Sequence, residues 1–300
     1  GWQPRHRARR RRRWLRAGLL ALLAVAMVTA QFGFGGVPQV HALPAAAEPG
    51  ALPSATQAPN ASVRTLTLRQ GRSGYTGTQD TWISNADWDS PKQYLLNYGR
   101  NTELLLSRDG GDNPLLRFDL SQIPPNSEVT SAHLRLYNLT AAGGSCDLPG
   151  SRVRHVELHA VARNWDAGNQ VAGLIDSAGD HGATGVNAFA YPKGAGTTVP
   201  WSARGMAAPG DFSAGVASTA AVLNEGWYDW DATGVVRDRI RGEASNFGFV
   251  LRDASGYEDN NCDWRSFVSS DDPARPTLRP SLVITYNPDV PFVSAGADQT

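Results

Sequence analysis

The folded part of this chain is predicted to be an all-β sandwich with one short helix. Short apolar or alternating runs recur between clusters of Gly, Pro, Asn and Asp, at a spacing typical of strands joined by short connections. Side-chain alternation assigns a buried face to two of these runs. The residues on the predicted buried face are Ala132, Leu134 and Leu136 in one run and Val156, Leu158, Ala160 and Ala162 in the other. We therefore expect each sheet to have one core face and one solvated face.

Residues 1–42 are predicted to be an export signal peptide. Eight arginines and no acidic residue precede an uncharged apolar run at 17–30, which is shorter than the roughly 20 residues of a membrane-spanning helix. Cleavage is expected after Ala42, with Ala30 as the second candidate. An uncleaved membrane anchor is one alternative. A basic arm that binds nucleic acid is the other, and it fits less well because the apolar run follows the arginines without a gap.

The leader hides the charge of the rest of the chain. Removing its eight arginines from the 28 basic residues leaves 20, against 28 acidic ones, so the remainder carries a net charge of about −8. An acidic body argues against a nucleic-acid partner. A chain of this charge can bind a polyanionic ligand only through a local basic patch.

A linker, the sandwich module and its helix follow the leader in that order. Residues 43–61 are rich in Pro, Ala and Ser without apolar periodicity, which predicts an extended, disordered linker. The module is expected to span 62–287, a length that can bury most of its surface without depending on a disulfide. A helix is predicted at 234–241, with Asp231 or Thr233 as its N-terminal cap and Gly242 at its end.

Residues 168–220 interrupt the strand pattern. This stretch is rich in Gly, Ala and Ser and only weakly patterned, so we expect a long excursion over the surface rather than a second domain. Long ordered loops often carry function or specificity.

The chain has two cysteines, Cys146 and Cys262, each in a polar loop. An exported chain meets oxidising surroundings, in which a disulfide persists. One bridge between the two loops is one expectation, and two unrelated thiols are the other.

Seven motifs cover essentially the whole folded region in one order. They are GYTGTQDTWIS (74–84), NYG (97–99), LLRFDLSQIPPNSEVTSAHLRLY (115–137), NWDAG (164–168), WYDWDATGVV (227–236), NFGFVLRD (246–253) and RPSLVITY (279–286). With them the chain resembles the DNRLRE domain, which is grouped with carbohydrate-binding module family 96 and with repeats of disaggregatase-related surface proteins. The chain departs from the family pattern after NWDAG, where the usual Thr-Trp-Asn is absent and a long insertion leads to Trp201.

The resemblance implies a jelly-roll β-sandwich without catalytic activity of its own. Such modules are attached to exported polysaccharide-active enzymes or to cell-surface proteins, and some bind alginate-type glycans. Residues 288–300 resemble the start of a PKD-type immunoglobulin-like domain. We therefore expect further domains beyond Thr300.

Catalytic and metal-binding signatures are weak. The chain has no G-x-S-x-G, H-E-x-x-H or G-x-x-x-x-G-K motif, and the best acidic pair, Asp229 and Asp231, is interpreted as structural because Asp231 stands where a helix needs a cap. No cofactor is assigned with certainty. Two candidate metal-binding sets are the row His155, Glu157 and His159 on one strand face, and, for Ca²⁺, the loop carboxylates Asp80, Asp87, Asp89, Asp271 and Asp272.

Aromatic residues in polar loops are the best candidates for ligand contacts, because aromatic faces stack on the apolar faces of sugar rings. The candidates are Trp88, Tyr94, Tyr257 and Trp264, with Lys92 and Arg265 beside them to meet a uronic acid carboxylate. Trp227, Trp230 and Tyr98 are interpreted as packing residues.

These observations predict a secreted or cell-surface, non-catalytic carbohydrate-binding module that brings a larger exported protein to a polysaccharide, one that could contain uronic acid. A structural or adhesive surface domain that binds no sugar is the alternative. An enzyme is the third class.

Overall fold

The computed structural model describes residues 62–87, 90–107, 111–140, 153–255 and 264–288. The strands in these ranges are β1 (Arg64–Arg69), β2 (Thr78–Ser84), β3 (Leu96–Asn97), β4 (Glu103–Leu106), β5 (Asp112–Phe118), β6 (Glu128–Asn138), β7 (Arg154–Ala160), β8 (Gly173–Leu174), β9 (Asn187–Phe189), β10 (Val199–Pro200), β11 (Ser218–Val222), β12 (Gly226–Asp231), β13 (Phe249–Asp253), β14 (Arg265–Val268) and β15 (Ser281–Asn287). The helix α1 spans Thr233–Ile240, and short 3₁₀ turns span Arg72–Gly74 and Gln93–Leu95.

Two antiparallel sheets face each other across the main core. The front sheet has six strands in the order β1-β15-β6-β14-β4, with β12 also paired to β6. The back sheet has five strands in the order β11-β7-β13-β5-β2. Two small ladders, β3 with β8 and β9 with β10, lie outside these sheets. The predicted all-β sandwich with one short helix is confirmed.

The inward faces of β6 and β12 follow the alternation of the sequence. Ala132, Leu134 and Leu136 are buried in the main core, as predicted. Trp230 is also fully buried there, and its Nε1 donates a hydrogen bond to the carbonyl oxygen of Val156 in the back sheet, at 2.8 Å. Because that bond crosses the core, Trp230 ties the two sheets together.

The prediction for β7 fails after Leu158. His159, assigned to a solvated face, is buried, whereas Ala160 is half-buried and Ala162 is exposed. The reason is that the back sheet is covered on both faces. The ring of Phe212, from the long excursion, meets the ring of His159 edge-on with 5.2 Å between the centroids.

The excursion builds a third layer with a core of its own. Trp165, Trp201 and Phe212 pack with Ile83 and Val250, which point outward from the back sheet. The stretch packs on the back sheet and is therefore more than the excursion over the surface that the sequence predicts. In the described part of the chain, the front sheet is the one with an open outer face, where His133 is exposed and Arg135 and Tyr137 are half-buried.

Asn97 anchors the start of this layer. Its Nδ2 donates hydrogen bonds to the carbonyl oxygens of Ala167 at 2.8 Å and Ala183 at 2.7 Å, and its Oδ1 accepts from the amides of Gly99 and Gln170. A side chain at Gly99 would place its Cβ 2.2 Å from the Ala167 oxygen. The NYG and NWDAG motifs thus pack directly against each other.

Helix α1 begins and ends close to the predicted residues. Asp231 Oδ1 accepts a hydrogen bond from the amide of Thr233 at 2.8 Å, and the bonds with Thr233 lower the pKa of Asp231. Gly242 adopts φ 74°, and the amide of the next residue, Glu243, bonds the carbonyl of Asp238 at 2.9 Å. These features form a Schellman motif, which ends the helix.

Several predictions fall outside the described residues. They concern the leader at 1–42, the linker at 43–61, the two cysteines and the tail beyond Pro288. Thr140 comes shortly before Cys146 in the chain, and Ser266 comes shortly after Cys262. These two flanking residues are neighbours, since the amide of Ser266 donates to Thr140 Oγ1 at 2.9 Å. No helix within the described ranges is long and apolar enough to cross a membrane.

Candidate functional site

The ends of the strands that adjoin the two loops predicted to carry ligand aromatics lie at the same end of the sandwich. Ser84, at the end of β2, pairs with Asp112 of β5, whose carbonyl accepts from the amide of Ser107 at 3.1 Å. Leu106 in turn pairs with Arg265 of β14. Because neighbouring strands lie about 4.8 Å apart, the end of β2 and the start of β14 are within about 15 Å of each other.

Of the predicted contacts in the first loop, Tyr94 and Lys92 are described. Tyr94 is half-buried, and the guanidinium carbon of Arg204 lies 4.8 Å from its ring centroid. Lys92 is exposed and its Nζ donates to the carbonyl oxygen of Asp87. Arg204 belongs to the excursion, so sequence proximity gave no sign of its contact with Tyr94.

Of the predicted contacts in the second loop, Trp264 and Arg265 are described. Trp264 is half-buried, but Arg265 is 3 % exposed and donates to the carbonyl oxygen of Trp264 at 2.9 Å. Arg265 is therefore placed inside the fold, where β14 is buried along its whole length, and not on a ligand surface. Trp88 and Tyr257 lie outside the described residues.

A second group of aromatic and charged side chains lies on the open outer face of the front sheet. We define the aromatic platform as Arg69, Arg135, Tyr137 and Trp227. Since Leu136 and Trp230 point into the core, alternation turns Tyr137 and Trp227 outward, and the register of β6 with β12 pairs these two residues directly.

The platform is held by ring and cation contacts. The Tyr137 and Trp227 rings meet edge-on, with centroids 5.5 Å apart and planes at 83°. The guanidinium carbons of Arg135 and Arg69 lie 5.2 Å and 6.0 Å from the Trp227 centroid. Arg135 Nε also donates to Asp229 Oδ1 at 2.6 Å. A hydrogen bond to Glu225 raises the pKa of Tyr137.

Arg69 gives the platform uncompensated positive charge. Its Nη1 donates to the carbonyl oxygen of Thr277 at 2.8 Å, which is a neutral partner, and its Nε has no hydrogen-bond partner in the described part of the chain. Partial burial and the charges of Arg72 and Arg135 lower the pKa of Arg69. This is a local basic patch on a chain whose residues beyond position 42 are acidic overall.

The structure corrects the interpretation of one tryptophan. Trp230 and Tyr98 are buried packing residues, as predicted, but Trp227 lies on the outer face. The sequence contains the information needed to place Trp227. It lies three residues before Trp230 on the same strand, and positions an odd number of residues apart on a strand point to opposite faces.

The acidic pair and the candidate metal ligands are engaged elsewhere. Asp229 is bound to Arg135 and Asp231 to the first amide of α1. His159 Nδ1 meets the carbonyl oxygen of Ser213 at 2.9 Å, and its Nε2 meets Glu157 at 3.1 Å.

The loop carboxylates proposed for Ca²⁺ have other partners as well. Asp80 is buried and bound by Ser269 and Ser270, and Asp271 pairs with Arg100. Asp87 Oδ2 lies 3.7 Å from Arg204 Nη1, and Asp272 accepts from the amides of a turn. Asp89 lies outside the described residues. Within the described ranges, no three His, Cys, Asp or Glu residues are grouped so that they could hold a metal ion.

Fold and surface together define a three-layered β-sandwich protein whose open sheet face carries aromatic and arginine side chains. No protein-family model matches the chain, and a search of curated proteins finds no match either.

Proposed function

We propose that this chain carries a secreted, non-catalytic carbohydrate-binding module that holds an extracellular polysaccharide on the aromatic platform. The observation that supports this best is the outward position of Trp227 on the front sheet, with the guanidinium carbons of Arg135 and Arg69 over its ring at 5.2 Å and 6.0 Å from the centroid. An indole face gives a sugar ring a flat apolar surface, and guanidinium groups give its oxygens hydrogen-bond donors. The motifs that resemble the DNRLRE domain point in the same direction.

The charge of the platform favours an acidic polysaccharide. Arg69 Nη1 donates to a neutral carbonyl oxygen, so the charge of the guanidinium can pair with a uronic acid carboxylate. Arg135 is already paired with Asp229 and contributes less free charge. Binding that depends on Arg69 should weaken with salt, because the site is exposed and ions screen it.

The experiment compares the full chain with three variants in affinity gels that contain alginate, pectin, xylan or β-glucan. Trp227→Ala should weaken retardation by about 1 to 2 kcal/mol and leave the melting temperature nearly unchanged. Trp264→Ala is the matched control, since it removes the tryptophan predicted from sequence at the other end of the sandwich. Arg69→Gln should weaken binding to alginate and pectin but not to xylan or β-glucan.

Each contrary result has a defined meaning. If Trp264→Ala weakens binding and Trp227→Ala does not, the ligand lies at the loop end with Tyr94 and Lys92. If none of the polysaccharides retards the protein, the chain is a structural or adhesive domain. Release of product from any of them contradicts the non-catalytic assignment.

A further inference from the structure

The charged residues of the aromatic platform lie in one row that crosses the strands of the front sheet. Arg69 of β1 pairs with Ser281 of β15, and Ser281 pairs in turn with Arg135 of β6. Asp229 of β12 completes the row, because it pairs with Arg135. Since neighbouring strands lie about 4.8 Å apart, the Cα atoms of Arg69 and Arg135 are separated by about 10 Å.

One indole ring lies beside both arginines of this row. The guanidinium carbons of Arg135 and Arg69 are 5.2 Å and 6.0 Å from the ring centroid of Trp227. Ser281 faces outward, since Leu282 points into the core, yet it is only 1 % exposed. Its direct neighbours across the strands are the two arginines, whose long stems cover it. The arginines and the indole ring therefore form one surface and not two separate sites.

The ion pair of Arg135 leaves this arginine accessible to a ligand. Its Nε donates to Asp229 Oδ1 at 2.6 Å, which uses one of the five N–H donors of a guanidinium. Both side chains of the pair reach water, at 38 % and 47 % exposure. Because exposed ion pairs contribute little free energy, a ligand carboxylate can share Arg135 with Asp229 or take its place.

The arginines of the platform repel one another. Burial and the charges of Arg72 and Arg135 lower the pKa of Arg69. Asp229 is held by Arg135, whereas Arg69 donates to the neutral carbonyl oxygen of Thr277. A ligand with two negative groups, one beside each arginine of the row, relieves more of this repulsion than a ligand with a single one.

The charge pattern also sets the direction in which such a ligand runs. A chain that followed β1 away from Arg69 would next meet Thr67 on the outer face, which is neutral. A chain that followed β6 from Arg135 in the same direction would meet His133, which pairs with the acidic Asp231. A chain that crosses the strands meets both arginines.

We infer that the platform binds an extended stretch of polyuronate that crosses the strands from β12 to β1, with one carboxylate on Arg135 and a second on Arg69. The inference rests on the proposed function, since it assigns a length and a direction to the ligand of the same site. In an extended chain with twofold screw symmetry, every second residue turns its carboxylate to the same side. The spacing of the two arginines therefore fits a trisaccharide, whose outer residues pair with the arginines while the middle residue lies against Trp227.

The test uses the full chain and uronic acid oligomers prepared from the polysaccharide that retards it, alginate or pectin, with affinities measured by titration calorimetry. The trimer should bind about tenfold more tightly than the dimer, the gain expected from one more hydrogen-bonded charge pair. Arg69→Gln should remove this step and affect the dimer far less. Arg64→Gln is the matched control, because it removes an equal charge from an exposed position of the same strand, about 16 Å from Arg69, and it should keep the step.

Equal affinities for dimer and trimer would overturn the inference, as would a step that persists in Arg69→Gln or disappears in Arg64→Gln. Oligomers whose carboxyls have been reduced to hydroxyls should show no step with the unaltered protein, and a step with them would overturn it too, whatever the stability of the variants. If the step is absent but Trp227→Ala still weakens binding to the acidic polysaccharide, the proposed function stands and only this inference fails. If no uronic acid oligomer or polysaccharide binds, both fail.

Discussion

Replacing Asp80 by asparagine should remove a pH dependence of stability that its buried carboxyl imposes. Asp80 lies on β2 of the back sheet and is 2 % exposed. It accepts hydrogen bonds from Ser269 Oγ at 2.8 Å and from the amide of Ser270 at 2.7 Å, directly after β14 of the front sheet. Burial raises the pKa of Asp80 from 3.8 to about 6, against the two hydrogen bonds, which lower it.

The sign follows from the greater proton affinity of the folded state. Above a pH of about 6 the carboxyl is ionised whether the chain is folded or not, and the folded state bears the full cost of the buried charge. As the pH falls from about 6 to about 4, only the folded state gains a proton, so the free energy of unfolding rises. A pKa difference of about 2 corresponds to about 3 kcal/mol. Burial raises the pKa of Asp112 in the same direction.

Urea unfolding at about pH 7.5 and about pH 4.5 measures this effect. Between these two pH values, the stability of wild type relative to Asp80→Asn should increase by about 2 kcal/mol on acidification, because a pH of about 4.5 still lies above the unfolded pKa. Asp231→Asn is a matched control of opposite sign: the pKa of Asp231 is lowered, so its contribution is present above the unfolded pKa and is lost as the pH falls. Parallel pH profiles for wild type and Asp80→Asn would refute the reasoning.

Two substitutions test the packing of the fold, and one measurement tests the pairing of the cysteines. Trp230→Ala should lower the free energy of unfolding by about 3 to 5 kcal/mol, as measured in urea, because it empties the core, whereas Trp227→Ala should cost far less. Asn97→Ala leaves two carbonyls and two amides without their partner and should cost about 3 kcal/mol or more in the same assay. Mass spectrometry without reductant should find Cys146 and Cys262 joined, a bridge worth about 4 to 5 kcal/mol in the loop-entropy treatment. Two free thiols in the exported protein would contradict this last prediction.

The candidate site was only partly accessible to sequence reasoning. Aromatic residues in polar loops led to Tyr94, which does lie beside a cation, but that cation is Arg204 and not a neighbour in the chain. Trp227 was interpreted as a packing residue because it lies in the WYDWDATGVV motif. Its outward position nevertheless follows from the sequence, since Trp230 points inward and lies three residues away on the same strand. Arg69 was not considered, because β15 and β6 separate its strand from β12.

The sequence by itself determined the all-β class, the inward face of β6 and the position of α1. These features depend on periodicity and on capping residues, which act over a few neighbouring positions. Only the tertiary structure decided that the excursion buries the outer face of the back sheet, so that His159 lies inside the fold and the front sheet provides the open face. It also decided that Arg69 lies beside Trp227 and that Asp80 meets Ser269. Such contacts join residues far apart in the chain, and they depend on how layers pack, which no local pattern encodes.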